Sequence, residues 1–524
     1  MVDLYLSLFS LRLLPVTVWF MAEILCGVNV KYQTSIRKRA TGTFRRKLLA
    51  LCLGCTVTGA LPVYAAEEVP VHQSAVDNST DALLKQGQYL AVAADCAACH
   101  TDPQTKKTFA GGYAIHSPMG VIYSTNITPS KTYGIGNYTE AQFENAVRHG
   151  IRADGSHLYP AMPYTSYAGL TDQDVHALYY YFTHGVQPVE QPNRITSLGF
   201  PFNLRQAMWG WNLLFLKQKP FQPDPSQSAA WNRGKYLVNN LEHCGECHTP
   251  RNIMMGTETG SAELSGAALG SWYAPNLTSD PLSGIGSWHR DQLMTYLKTG
   301  HVEGKAQAAG PMAEAITNSL QHLSDDDISA IVTYLQSLPA VSHPGQAKPT
   351  GDFGSPAGMA GDSDIRGTQP MGSAIPADIT GKALYDTTCA SCHQTSGTGT
   401  ADGFYPSLFH NTATGGNTPN NLVSAILFGV QREVNGKEVL MPAFGPGSDV
   451  QSLNDDQVAK LSNYIFKQFG NPQLSVTAAD VKTLREGGAQ PFLARYAAAG
   501  SVIGGIIVLL IIVLIVVRLS RKRR

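Results

Sequence analysis

Three copies of one pattern constrain this 524-residue chain more than any other feature: Cys96-Ala97-Ala98-Cys99-His100, Cys244-Gly245-Glu246-Cys247-His248 and Cys389-Ala390-Ser391-Cys392-His393. Two thiols three residues apart on a helical turn can each form a thioether with one haem vinyl group, and the adjacent imidazole is then aimed at the iron. A structural disulfide within each pair would not require a histidine after every pair. A zinc knuckle needs two pairs in one fold, whereas here the first cysteines lie 148 and 145 residues apart (96 to 244, 244 to 389). A thioredoxin-like pair sits in a strand–helix alternation that the flanking sequence lacks. Three covalently attached haem c groups are therefore expected, held by Cys96, Cys99, Cys244, Cys247, Cys389 and Cys392. The other three cysteines, Cys26, Cys52 and Cys55, fall in the N-terminal segment.

The near-equal spacing is itself a repeat. Gly87-Gln88-Tyr89-Leu90, Gly234-Lys235-Tyr236-Leu237 and Gly381-Lys382-Ala383-Leu384-Tyr385 precede the motifs as short amphipathic helices. Later runs end at Gly150, Gly300 and Gly429, suited to left-handed caps. Each repeat closes on a helix N-capped by Thr171, Ser324 or Asn454, with Asp174, Asp327 or Gln457 three positions on in a capping-box arrangement. A tyrosine follows at Tyr181, Tyr334 and Tyr464. The expected fold is all-α: three tandem units over 80–190, 228–340 and 377–470, with a mobile Gly/Pro-rich linker at 341–376.

A second axial ligand is usual for an electron-transfer haem, and methionine raises its potential. After Cys389 the chain has a single methionine, Met441, within Leu440-Met441-Pro442. Pro160-Ala161-Met162-Pro163 and Gly310-Pro311-Met312 stand in the same place, shortly before the closing helix. Met119, Met254, Met255 and Met294 compete as ligands, while His149, His157, His243 and His301 read as solvated or supporting histidines.

The ends of the chain give its compartment. Arg37 to Lys47 is basic, Leu48 to Pro62 is apolar, and Val63-Tyr64-Ala65-Ala66 is small, the order of a secretory signal; residues 1–65 are assigned to an N-terminal extension and signal peptide. Leu4 to Cys26 is also apolar but carries Arg12 and Glu23, and reads as sequence upstream of the true start or as an extra membrane helix. Ala497 to Val517 is uncharged and long enough to span a bilayer, and Arg518, Arg521, Lys522, Arg523 and Arg524 follow it. The positive-inside rule puts that end in the cytoplasm and the body on the periplasmic side of the inner membrane. With 39 basic and 39 acidic residues there is no electrostatic case for nucleic acid.

Tyr123-Ser124-Thr125-Asn126-Ile127-Thr128-Pro129, Gly134-Ile135-Gly136, Val147 to Arg152, Tyr159 to Tyr164 and His248-Thr249-Pro250-Arg251 together resemble the triple-haem cytochrome c subunit of bacterial membrane-bound alcohol, gluconate, fructose and sorbitol dehydrogenases. The resemblance implies three cytochrome c domains that relay electrons from a large subunit holding pyrroloquinoline quinone or flavin (FAD) to ubiquinone, with a small third subunit as a further partner. It implies His100, His248 and His393 as proximal iron ligands and Met162, Met312 and Met441 as distal ones. The C-terminal span departs from the alcohol dehydrogenase pattern and leaves the substrate open. No dinucleotide fingerprint or nucleophile motif is present, so substrate oxidation belongs to the partner. Two other readings are a multihaem peroxidase with one open haem position and a cytochrome donor to a terminal oxidase.

Overall fold

A computed structural model describes residues 79–217, 219–358 and 378–522. The signal and N-terminal extension, and the centre of the second linker, lie outside the described residues.

Each repeat begins with a helix that ends at its haem motif: Thr80–Ala93, Ala229–Tyr236 and Gly381–Thr388. Their starts are fixed by Ser79, Ser228 and Thr380, whose hydroxyls accept from the backbone three residues on. Each repeat ends with the helix foreseen at its close: Asp172–Tyr180, Asp325–Gln336 and Asp455–Phe469. The two helices of a pair cross at a glycine. A Cβ on Gly87, Gly234 or Gly381 would lie 2.1, 2.0 and 2.1 Å from the carbonyl oxygens of Ala177, Ala330 and Lys460. The same Cβ would meet the repeated tyrosine at Tyr181, Tyr334 or Tyr464. Glycine is thus required because backbone meets backbone at the crossing.

Helices Glu140–His149, Arg290–Thr299 and Asn420–Phe428 fill the middle of each unit and end at Gly150, Gly300 and Gly429, with φ of 63°, 69° and 76°. Among the described residues four small antiparallel sheets accompany the helices, a departure from the all-α expectation. The longest hairpin, Val430–Val434 with Lys437–Met441, turns at Asn435-Gly436, where both residues have positive φ, the signature of a two-residue hairpin turn. A longer stretch without assigned structure in the sequence reading, 191–227, contains a strand, Ser197–Leu198, and a helix, Ala207–Phe215.

Units 1 and 2 share one hydrophobic core, running from Leu90 through Leu178 and Leu237 to Leu335, whereas unit 3 has its own, from Leu384 to Leu484. The first two units are joined by reciprocal bonds. Tyr89 of unit 1 donates to Asp327 of unit 2 at 2.6 Å, and Tyr236 of unit 2 donates to Asp174 of unit 1 at 2.5 Å. Tyr89 and Tyr236 occupy equivalent positions, two residues after the crossing glycine, and the two aspartates are equivalent positions of the closing helices. Contact i to j answered by j to i is the pattern of a two-fold interface, here between repeats of one chain. It corrects the capping-box expectation. Only Asn454 and Gln457 close the box, while Asp174 and Asp327 turn their carboxylates to the neighbouring tyrosine. Unit 3 has Ala383 and Gln457 at these positions and cannot make the pair.

Unit 3 meets unit 2 through Arg432, 3% exposed, which donates to the Ala308 carbonyl and to Gln307 Oε1, both at 2.8 Å. Its strand packs on the helix Gly310–Asn318. The early part of the second linker is not a free tether: Asn276 donates to the Val341 carbonyl, Phe353 is buried, and Gly354 lies against the Phe469 carbonyl. The chain ends in the helix Phe492–Lys522, of which Ala499–Lys522 is long and apolar enough to cross a membrane.

Candidate haem sites

Each Cys-x-x-Cys-His run forms a single helical turn at the end of its leading helix. In units 1 and 2 the residue before the first cysteine, Asp95 or His243, is left-handed at φ 50° and 38° and breaks the helix so that the motif can turn. In unit 3 the left-handed residue follows the motif, Gln394 at 63°.

The three motif histidines share one environment. Nδ1 of His100, His248 and His393 lies 2.6, 2.7 and 2.9 Å from the carbonyl oxygens of Thr125, Pro275 and Pro406. A carbonyl can only accept, so Nδ1 carries the proton and the lone pair lies on Nε2, the orientation in which an imidazole ligates a metal. Burial pushes all three imidazoles below their ordinary pKa, against the carbonyl bond that would raise them. They are therefore neutral at pH 7, as ligation requires.

The sequence alone did not show which groups orient these rings. Thr125 and Pro275 stand directly before Asn126 and Asn276. Asn126 donates to the Val189 carbonyl at 2.8 Å and accepts from Thr128 N at 2.9 Å; Asn276 donates to Val341 at 2.7 Å and accepts from Thr278 N at 2.9 Å. The Asn-x-Thr element thus locks the strap that lays a carbonyl on the histidine. Its repetition was a visible signal. Pro406 performs the task in unit 3 without that element, and no sequence pattern marks it.

The six motif cysteines are not paired in disulfides. Burial pushes the thiols of Cys96 and Cys99 up to about 12 and those of Cys247 and Cys389 to about 11, and raises Cys244 as well. Among the described residues no group of three or more His, Cys, Asp or Glu gathers to hold a metal by itself. Paired thiols beside an oriented, neutral imidazole fit covalently attached haem. The motifs of units 1 and 2 lie together: the Cys99 and Cys247 thiols are within electrostatic reach, and helix Gly310–Asn318 of unit 2 packs on the turn Cys96–His100.

Met162 and Met312 are half-buried against the shared core of units 1 and 2, and Met441 against that of unit 3. Met162 lies in the loop before helix Tyr164–Tyr167, Met312 in the first turn of its helix, and Met441 ends its strand opposite Val430. Of the competing methionines, Met294 also touches the core, whereas Met254 is exposed. His243 stacks edge-on against Tyr167, and His149, His157 and His301 each bury an Nδ1 without a hydrogen-bond partner.

Comparison with known proteins agrees with this geometry. The cytochrome c family matches at residues 84–184, 231–339 and 379–468, more than half of the chain. The chain is 52% identical over 423 residues to the fructose dehydrogenase cytochrome subunit of Gluconobacter japonicus, covering 80% of this chain and 86% of that one. It is 41% identical to the cytochrome c subunit of the quinone-linked alcohol dehydrogenase of Gluconacetobacter polyoxogenes, over 79% and 86% of the two chains. It is 39% identical to the gluconate 2-dehydrogenase cytochrome c subunit of Pantoea cypripedii, over 84% and 95%.

Proposed function

This chain belongs to the cytochrome c family, and we propose that it is the electron-transfer subunit of a membrane-bound dehydrogenase, taking electrons from a large catalytic subunit and delivering them to ubiquinone. The threefold imidazole–carbonyl geometry carries this reading. Haem c supplies reversible one-electron chemistry at iron. The chain's own residues do the rest. Cys96, Cys99, Cys244, Cys247, Cys389 and Cys392 would hold the groups, and His100, His248 and His393, whose tautomer is set by the carbonyl at Nδ1, would ligate iron through Nε2. Met162, Met312 and Met441 would supply the second ligand, a role supported by their half-buried placement against the two cores. Burial keeps water from the ring nitrogens, and differences in nearby charge separate the three potentials.

The body lies on the periplasmic side, anchored by the C-terminal helix with its basic end in the cytoplasm; the basic residues after the apolar run support this orientation. The partner holds flavin or pyrroloquinoline quinone, with a small third subunit completing the complex. The 52% identity to a fructose dehydrogenase cytochrome subunit supports fructose as the first substrate to test.

Membranes carrying the chain and its partners are given fructose, gluconate, ethanol and sorbitol in turn while the reduced haem band is recorded. Reduction by one of them, reversed by a quinone analogue, is expected. A full three-haem signal with an artificial reductant but none with any substrate would overturn the assignment of partner and favour a donor to a terminal oxidase.

A further inference from the structure

The stretch 191–223 joins units 1 and 2 and contains no Asp or Glu in 33 residues, while it carries Arg194, Arg205, Lys217 and Lys219. It also exposes Phe200, Leu204, Trp209, Leu213 and Leu214, with Trp209 at 67% and Leu213 at 73%. Scattered apolar residues are ordinary on a surface, but five within fifteen positions form a patch that a soluble face does not normally show.

The helix Ala207–Phe215 has two sides. Trp211 is buried, sits edge-on to Tyr164 and donates through Nε1 to the Met254 carbonyl at 2.9 Å, and Asn212 accepts from the Tyr164 hydroxyl at 2.7 Å. That side anchors the helix to both units. Trp209 and Leu213, one turn apart, face outward with Leu214. The bond from Trp211 to Met254 ties the helix to a loop of unit 2 in which Ile253 and Met254 are exposed. At the near end Arg205 stacks over Tyr159, and Lys217 and Lys219 stand exposed at the far end.

We infer that this face lies in the headgroup region of the membrane, with the apolar side chains of 200–214 among the upper acyl segments and the cations on anionic lipid headgroups. A rigid helix with an outward Trp and leucines, cations at both ends and no acid is the composition of an interfacial segment. Within 191–223 the cations are unaccompanied by acid, and the exposed Asp154 of the neighbouring loop lies within electrostatic reach of Arg205 alone among them. The apolar helix Ala499–Lys522 supplies the bilayer. The inference rests on the membrane-anchored reading above. It adds a second attachment, which lays the loop of Met162 and the motif of unit 2 toward the bilayer, where a quinone dissolves.

The test uses the full holo-chain in nanodiscs of phosphatidylglycerol and phosphatidylcholine, whose acyl chains carry a photoactivatable diazirine near the headgroup. After irradiation, labelled peptides are identified by mass spectrometry, with and without the catalytic subunit. Labelling of both 499–522 and 199–216 is expected, the latter lost at least about tenfold in a Trp209→Gln/Leu213→Gln double variant whose haem spectrum is unchanged. Labelling of 499–522 alone overturns this inference and leaves the anchor standing. Labelling of neither overturns the anchored reading itself. If 199–216 is labelled only without the catalytic subunit, the face is a protein-docking surface and the inference fails.

Discussion

Removing the two tyrosine hydroxyls that join units 1 and 2 has unequal consequences. Asp327 accepts from Arg233 Nε and Nη2, each at 2.7 Å, besides Tyr89, whereas Asp174 has Gln86 Nε2 at 3.2 Å besides Tyr236. A hydrogen bond to a charged group contributes about 1.5–3 kcal/mol when buried. Tyr236 is 4% exposed and its carboxylate keeps only the long amide bond, so Tyr236→Phe should cost about 2–3 kcal/mol. Tyr89 is half-buried and leaves a carboxylate still held by a guanidinium, so Tyr89→Phe should cost about 1 kcal/mol. Urea unfolding of the holo-chain, followed by tryptophan fluorescence, measures both, since units 1 and 2 share a core. Equal costs, or a larger cost for Tyr89→Phe, would refute the reasoning. The same pair sets a pH dependence. Burial opposes ionisation of Asp327, but the bonds from Arg233 and Tyr89 outweigh it and hold the carboxyl below its ordinary 3.8. A folded-state pKa below the unfolded one stabilises above about pH 4 and is lost as pH falls through the folded value. The acid limb of the wild-type stability curve should therefore be steeper than that of Asp327→Asn, and identical limbs would count against the pair.

Glycines in two helices make opposite predictions. Gly234→Ala places a methyl 2.0 Å from the Ala330 carbonyl and should lower stability by at least about 2 kcal/mol, whereas Gly210→Ala, with nothing within 4 Å, should raise it by about 0.5–1 kcal/mol; thermal melts decide. Met441→His should leave the third haem attached and lower one of the three midpoint potentials by on the order of 100 mV in a redox titration, because the thioether ligand is what raises it; three unchanged waves would remove Met441 from the ligand set. Arg432→Gln strips donors from the Ala308 carbonyl and Gln307 and should cost about 1–3 kcal/mol at the junction of units 2 and 3, read as faster proteolysis between them with units 1 and 2 still intact.

Much of the site was legible because haem attachment is local: two thiols and an imidazole within five residues need no tertiary information. The helix pair around each motif was also readable, since N-caps, glycines and a tyrosine recur at fixed places. The strap carbonyls were not, because a backbone oxygen leaves no residue signature; only the asparagine that ties the strap down can be seen. The hairpin bearing Met441 was passed over although Asn435-Gly436 marked its turn. Helix Ala207–Phe215 escaped because its exposed apolar side mimics a core pattern, so periodicity does not reveal which face is covered.

The departures of unit 3 from the repeat explain the architecture better than the repeat does. Tyr89 and Tyr236 reach across to Asp327 and Asp174, whose carboxylates turn to the neighbouring unit and leave their own capping boxes incomplete. Replacing the pair with Ala383 and Gln457 returns the N3 side chain to its own helix, and the capping box closes. Two changes of residue type thus separate an interface from a self-contained helix start. Unit 3 then attaches by a different device, a buried arginine set beside the loop that leads to Met312, on the strand whose hairpin ends in Met441. Unit 2 thereby meets both neighbours: its helix Gly310–Asn318, which bears Met312, packs on the turn of His100 in unit 1 and receives strand Val430–Val434 of unit 3, whose hairpin partner ends in Met441. Unit 2 therefore carries two kinds of interface, a reciprocal tyrosine–aspartate exchange toward unit 1 and a surface that accepts the buried arginine of unit 3.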